Sequence, residues 1–300
     1  MSEQEAFQTW RHQVRWLPSL DWNVKFYGGH ERQVAADWTM PMETHVGFEL
    51  NLILAGEQET VMEGNRYLLR AGDMLLIPPS FRHAHRCVSA EGMHYFCVHF
   101  NVDDPEFRQR MLHLEQRLLR AESEESRTIR ALIEPWLTML RDDPAPSTGE
   151  RFRIQIQLFE LLARLATLAA PPEDEAAGDD ASASYVRYAR AIAEAIKRHF
   201  DPHERVELDG QRALRIEQIA ASLGISPGYA LEAFRKLYGM SPRQYLSDLK
   251  MRESKTLLQQ SHLGLKEIAA RLGYAELSHF SRQFKRWTGL SPQHYRQSHR

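Results

Sequence analysis

The last third of the chain carries one pattern twice, and this repetition limits what the chain can fold into more than any other feature. Ile216-Glu-Gln-Ile-Ala-Ala-Ser-Leu-Gly224 returns as Leu265-Lys-Glu-Ile-Ala-Ala-Arg-Leu-Gly273. In each copy apolar residues recur at helical intervals and a glycine closes the run, so each reads as a short amphipathic helix ended by a turn. A second helical stretch follows each copy, with Phe234 or Phe284, glycine at 239 or 289, Ser-Pro from 241 or 291, and Tyr245 or Tyr295. The offset is 49 before the turn (216 to 265) and 50 after it (234 to 284), so the second copy has gained one residue there. Helix, tight glycine turn, helix is the pattern of a helix-turn-helix, whose second helix can lie in the DNA major groove. Plain helical hairpins would also repeat, but solenoids need about three copies or more.

Charge separates these readings. Residues 185–300 hold 20 lysines and arginines against 11 acidic residues, whereas residues 1–184 hold 18 against 29. The near-neutral total of −2 thus hides a basic helical half and an acidic remainder. A basic helical half is the electrostatic footprint of a nucleic-acid binder.

Three hundred residues suit about two domains, and 43% apolar content is enough for proper cores. The start, Met-Ser-Glu-Gln-Glu-Ala-Phe, lacks the basic and apolar regions of a signal peptide, and no apolar run approaches a membrane span. A cytoplasmic location and no membrane partner are expected. Cys87 and Cys97 are too few and too far apart for a zinc motif, and in a reducing compartment they remain thiols with packing roles.

From about residue 22 to residue 100 short apolar-polar alternations are broken by Ala55-Gly56-Glu57, Glu63-Gly64-Asn65 and Ala71-Gly72-Asp73. Such strands at near-regular spacing imply an antiparallel sandwich or small barrel. From about 105 to 169 the leucines and isoleucines change to helical intervals, predicting two or three helices. Pro171 to Ser184 is acidic and nearly free of large apolar groups, as a flexible linker would be. The expected fold is α+β in two domains. Residues 1–104 form a sensor β-barrel, 105–170 a helical segment, 171–184 the linker, and 185–300 an all-α domain with two helix-turn-helix units.

Residues 185–297 resemble the AraC/XylS family of bacterial transcription regulators. The motif that carries this is Ile268-Ala-x-x-Leu-Gly-Tyr274, Phe280-Ser-Arg-Gln-Phe-Lys285, Gly289-Leu-Ser-Pro292 and Tyr295-Arg296. The resemblance implies that the second recognition helix presents Leu277, Ser278, His279 and Arg282 to DNA, with Arg282 able to bond guanine bidentately. The first departs from the family pattern: Ala230 stands where Phe280 stands in the second, and Glu232 where Arg282 does. By the same resemblance Gly228, Tyr229, Leu231 and Glu232 still face the groove, with fewer donors. Basic residues outside these helices, Arg243, Lys250, Arg252, Lys255, Lys285 and Arg286, are either phosphate contacts or a solvated face.

Gly72-Asp-Met-Leu-Leu-Ile-Pro78-Pro-Ser-Phe-Arg-His83 is similar to the second cupin motif. Metal-binding cupins add a His-x-His and a glutamate on an earlier strand; here His45 and Glu49 share a strand face, but position 47 is Gly47. His45, Glu49 and His83 suffice in principle for a divalent ion, yet they are read as polar groups lining a pocket, and neither metal nor cofactor is assigned. Family members with such a sensor imply instead a small effector inside the barrel, several of them sensing sugars. Candidate contacts are Trp22, Tyr27, Trp38, His45, Glu49, His83 and Tyr95. The resemblance further implies a homodimer through the helical segment, a promoter operator in double-stranded DNA as partner, and RNA polymerase as a further one. No catalytic motif stands out, so no catalytic residue is assigned; the rival class is a metal-dependent cupin enzyme with a DNA-binding tail, and a third option is a sensor that binds no small molecule.

Overall fold

The computed structural model describes residues 17, 23–141, 146–170, 180–198, 214–259 and 263–298, with side chains of the fourth segment from Ser184 onward. Eight strands, β1 (Val24–Val34), β2 (Thr39–Glu43), β3 (Phe48–Ala55), β4 (Glu57–Met62), β5 (Asn65–Arg70), β6 (Met74–Ile77), β7 (His83–Cys87) and β8 (Met93–Val102), are joined later by the short β9 (Leu118–Leu119). They form two antiparallel sheets, one in the order β1-β8-β3-β6-β9 and the other β2-β7-β4-β5. The predicted glycine turns fall between strands. Gly56 has φ 79°, and a Cβ there would come within 2.6 Å of Gly92 O, so both the backbone angle and the space require glycine.

Strand β3 explains how the barrel is covered. Polar-apolar alternation usually marks one wet and one dry face, but here Phe48 through Ile53 are all buried. Phe48, Leu50 and Leu52 join Phe96, Val98 and Phe100 of β8 against helices outside the barrel. On the inner side Ile53 joins Leu69, Ile77 and Tyr95, and Glu49 faces His83 and His85 of the opposite sheet. The covering helices are α1 (Pro105–His113), α2 (Glu124–Arg141) and α3 (Thr148–Leu168). Asp104 caps α1 by accepting from Phe107 N at 2.7 Å, and Ser147 with Glu150 forms a capping box on α3. Ile129, Ile133, Trp136, Leu158, Leu161 and Leu165 pack on the outer face of the larger sheet, each burial worth about 1.5–3 kcal/mol.

In the basic half α4 (Asp180–Arg198) begins inside the acidic stretch; residues 171–179 of the expected linker lie outside the described residues. Then follow α5 (Ile216–Ser222), α6 (Pro227–Tyr238), α7 (Pro242–Gln259), α8 (Leu265–Arg271), α9 (Leu277–Thr288) and α10 (Pro292–Ser298). The sequence offset is reproduced in the hydrogen bonds. Gly224 and Ile225 donate to Ala221 O and Ala220 O, both at 3.0 Å, and Gly273 and Tyr274 donate to Ala270 O and Ala269 O, both at 2.9 Å. One continuous core, with Ile192, Ile219, Phe234, Leu258, Ile268, Phe280 and Phe284, spans both units. Helix α7 lies between them and contributes Tyr245, Met251 and Leu258 to that core, so the two units are held as one body.

The two halves touch, which the linker reading did not anticipate. Arg108 of α1 is 1% exposed. Its Nε donates to Leu237 O at 2.5 Å and its Nη1 to Asn101 Oδ1 at 2.5 Å and Val102 O at 3.0 Å. The guanidinium lies over Phe48 on one side and Tyr238 on the other, and burial pulls its pKa down to about 10. Around it Tyr245 Oη donates to Asp103 at 3.0 Å, Lys25 pairs with Asp248 at 2.5 Å, and Ser80 Oγ donates to Gly239 O at 3.2 Å.

Candidate DNA interface and barrel site

Each recognition helix is set at a fixed angle by its turn and presents one face outward. Ser226 caps α6 by accepting from Tyr229 N at 3.2 Å, whereas Glu276 at the start of α9 makes no side-chain cap. Gly228 and Glu232 of α6, and Ser278, His279 and Arg282 of α9, are exposed. Leu231 is half-buried. Tyr229 and Leu277 are half-buried too, and pack on the domain core, Tyr229 meeting Tyr188 at 5.8 Å between ring centroids. His279 is held edge-on by Tyr274 at 5.5 Å. Arg282 makes no ion pair among the described residues, so its guanidinium is free to meet a base edge or phosphate.

The flanking basic residues divide into two kinds. Lys255, Lys285 and Arg286 are exposed. Lys250 is not: its ammonium lies 4.8 Å from the centre of the Tyr274 ring, and burial lowers its pKa. Arg243 pairs with Glu217 and so ties α7 to α5. Lys250 is thereby partly covered by the second unit, whereas Arg243 stays exposed beside Glu217.

Inside the barrel one carboxylate gathers most of the ionisable groups. Glu49 is 3% exposed, and its Oε2 lies 2.9 Å from His45 Nε2, 3.3 Å from His99 Nε2 and 3.4 Å from His83 Nε2. Its Oε1 accepts from Cys97 Sγ at 3.2 Å and faces His85 Nε2 at 3.7 Å. Burial alone would raise the Glu49 carboxyl's pKa; the surrounding imidazoles of His45, His83, His85 and His99 outweigh it and hold the group well below the usual carboxylate range. His83 is pulled down by burial and up by Glu49 and Phe81 O, with a net rise. The contacts of His83 and His85 with Glu49 are ion-pair distances rather than hydrogen bonds, and both buried Nε2 atoms lack a bonded partner.

Of the expected effector contacts, His45, Glu49 and His83 converge. Tyr95 and Trp38 pack at 5.5 Å beside them, linked through His30 to His99 by ring contacts of 5.8 and 6.5 Å. Tyr27 stands apart, half-exposed over Gly47, where an added Cβ would meet its ring at 2.9 Å. Trp22 lies outside the described residues. His85, Cys97 and His30 were missed as site residues. The even spacing of His83 and His85, and of Cys97 and His99, was the available signal, since each pair shares one strand face.

Residues 28–184, more than half of the chain, match the AraC-like ligand binding domain family, and residues 219–298 match a helix-turn-helix domain family. The chain belongs to the AraC family. It is similar to the Msm operon regulatory protein of Streptococcus mutans, 22% identical across 83% of this chain and 84% of that one. It is also similar to the arabinose operon regulatory protein of Salmonella typhimurium, 26% identical across 83% of each. Among solved structures, ToxT of Vibrio cholerae O395 aligns over 90% of this chain and 96% of its own at 13% identity, with a TM-score of 0.37. As an AraC-family transcriptional regulator, the protein joins a β-rich ligand-binding domain to an all-helical DNA-binding domain. Among the described residues no helix is long and apolar enough to cross a membrane.

Proposed function

We propose that this AraC-family protein works in the cytoplasm as a homodimer that reads a promoter operator with both helix-turn-helix units and answers to an effector bound in its barrel. The observation that carries this reading is the pair of recognition helices on one basic body, exposed at Gly228 and Glu232 on one and at Ser278, His279 and Arg282 on the other, with Tyr229, Leu231 and Leu277 half-buried beside them. The faces are unequal. The second offers an arginine, and the first offers an acid that suits only a cytosine amino group or no base at all. RNA polymerase at the neighbouring promoter is the further partner this arrangement would meet.

Dimerisation is assigned to α3, whose Phe152, Ile156 and Phe159 are 67%, 57% and 47% exposed. With Ala163 they follow 4-3-4 spacing on the side away from the barrel, which suits pairing with the same helix of a second copy. A second copy would double the number of recognition helices on one operator and raise affinity by linkage. The effector is placed among His45, Glu49, His83, Trp38 and Tyr95, with Tyr27 at the rim. Sugars are the first class to screen, because the similar proteins include regulators named for arabinose and raffinose operons. No catalysis is assigned.

The test is selection of bound sequences from random DNA by the full-length protein at physiological salt. Enrichment of one motif with half-sites supports the reading; binding that stays weak and blind to sequence, with and without candidate sugars, overturns it.

A further inference from the structure

We propose that the connection between β6 and β7, residues 78–82, is a stiff strap that ties the barrel site to the first helix-turn-helix unit. An occupant of the barrel then alters the hold of α6 on DNA directly, and that of α9 only through the shared core. The proposal rests on the barrel being the effector-binding part and on α6 reading DNA.

The strap reaches the barrel site at two points. His45 lies in the connection between β2 and β3, and its backbone oxygen accepts from Ser80 N at 2.8 Å. His83 opens β7, and its ring Nδ1 donates to Phe81 O at 2.9 Å, since a carbonyl oxygen only accepts. These are two of the histidines whose Nε2 atoms approach Glu49 Oε2, at 2.9 and 3.4 Å. Both are therefore fastened to one short piece of chain. Pro78 and Pro79 fix φ in that piece, and Phe81 N closes it by donating to Pro78 O at 3.3 Å. Ser80, next after the prolines, has φ 66°. Residues with a side chain seldom enter this left-handed region and persist there when their surroundings hold them. An occupant that draws either histidine aside to reach Glu49 thus moves the strap, whose backbone has few ways to absorb the shift.

The far side of the strap meets the cap of a recognition helix. Gly239 ends α6 with φ 70°, its N–H donating to Arg235 O at 2.8 Å. Ser80 Oγ donates to Gly239 O at 3.2 Å, and a Cβ added at Gly239 would come within 2.8 Å of Pro79 Cβ. The repeat supplies an internal comparison. Gly289 ends α9 in the same way, with φ 76° and its N–H on Lys285 O at 2.9 Å, yet among the described residues a Cβ added there meets nothing within 4 Å. The two caps share one backbone conformation, and of the two it is the first that presses on the barrel domain. A shift of the strap therefore displaces the end of α6, the helix that carries Glu232. The coupling must also run backwards: if an occupant of the barrel alters the grip of α6 on DNA, then DNA on α6 alters the barrel.

The test is amide hydrogen exchange, read by mass spectrometry on the full-length protein with and without DNA of the sequence it selects, so that no effector is needed. Without DNA, Gly239→Ala should speed exchange at residues 44–49 and 79–85, whereas Gly289→Ala, which strains its own cap equally, should disturb only the second unit. On DNA, wild type should show altered exchange at residues 44–49. Ser80→Ala keeps the backbone bond to His45 and loses the bond to Gly239 O, so it should bind the DNA and lose that alteration. Barrel exchange unmoved by Gly239→Ala overturns the strap, as does DNA-bound wild type with residues 44–49 unchanged, or an alteration that Ser80→Ala retains. Should Gly239→Ala fail to fold, the Ser80→Ala comparison decides. DNA that protects neither recognition helix sinks the regulator reading instead, and the Gly239→Ala comparison then judges the strap alone.

Discussion

At the scale of single residues, Arg282 and Glu232 occupy equivalent places in the two units and offer opposite charges to DNA. Replacing Arg282 with alanine should weaken specific binding by about 1–3 kcal/mol and relax the choice at one base position, read from selection experiments on the variant. Unchanged discrimination would remove Arg282 from the base-reading set. Glu232→Ala separates two roles: uniform tightening on all sequences means that the acid only repels phosphate, and a changed preference at one cytosine means that it reads that base. Both residues were legible in the sequence, because a surface position on a recognition helix is fixed by the repeat. Lys250 was not, since a lysine on an amphipathic helix gives no sign that an aromatic ring from the next unit will cover it. Glu49 was half legible. Its contact with His45 was expected from a shared strand face, yet His45 lies in the connection between β2 and β3 and reaches Glu49 from there; the approach of His83, His85 and His99 depends on which strands become neighbours.

At the scale of elements, the duplicated helices were readable nearly to the residue because each carries its own stop signal in Gly224, Gly239, Gly273 or Gly289, all at positive φ. The strands were readable as strands, whereas their order was not, as β1-β8-β3-β6-β9 pairs segments far apart in sequence. The helices after the barrel showed apolar periodicity without saying what would cover it. In the structure Leu158, Leu161 and Leu165 of α3 face the barrel, and the phenylalanines face outward. Phe159→Glu should therefore leave the fold intact and shift the protein from dimer to monomer in analytical ultracentrifugation, with operator affinity falling by the lost linkage. A dimer that persists in the Phe152→Glu, Phe159→Glu double variant would place the interface elsewhere.

At the scale of the whole molecule, the barrel and the DNA-binding body meet around Arg108, one basic residue among many in the sequence and so invisible there. Its anchors are the end of the first recognition helix at Leu237 and the end of β8 at Asn101 and Val102. Phe48, over which the guanidinium lies, is the neighbour of Glu49 in the chain. A change in the barrel site therefore has a short mechanical route to the first helix-turn-helix unit, one that requires the effector to bind differently when the contact is open. Arg108→Ala leaves several buried acceptors unpaired and should lower stability by at least about 2 kcal/mol. A double-mutant cycle with Tyr245→Phe should return a coupling of about 0.5–3 kcal/mol in thermal unfolding. Independent, additive effects would mean that the two halves do not act through this contact.

Two unequal recognition helices on one body should read DNA together. Methylation interference on the selected operator would show whether they do. Each protomer should give two patches of major-groove interference about one helical turn apart, with Arg282→Ala erasing one patch and leaving the other. A single patch, or loss of both patches together in Arg282→Ala, would contradict joint reading by the two helices.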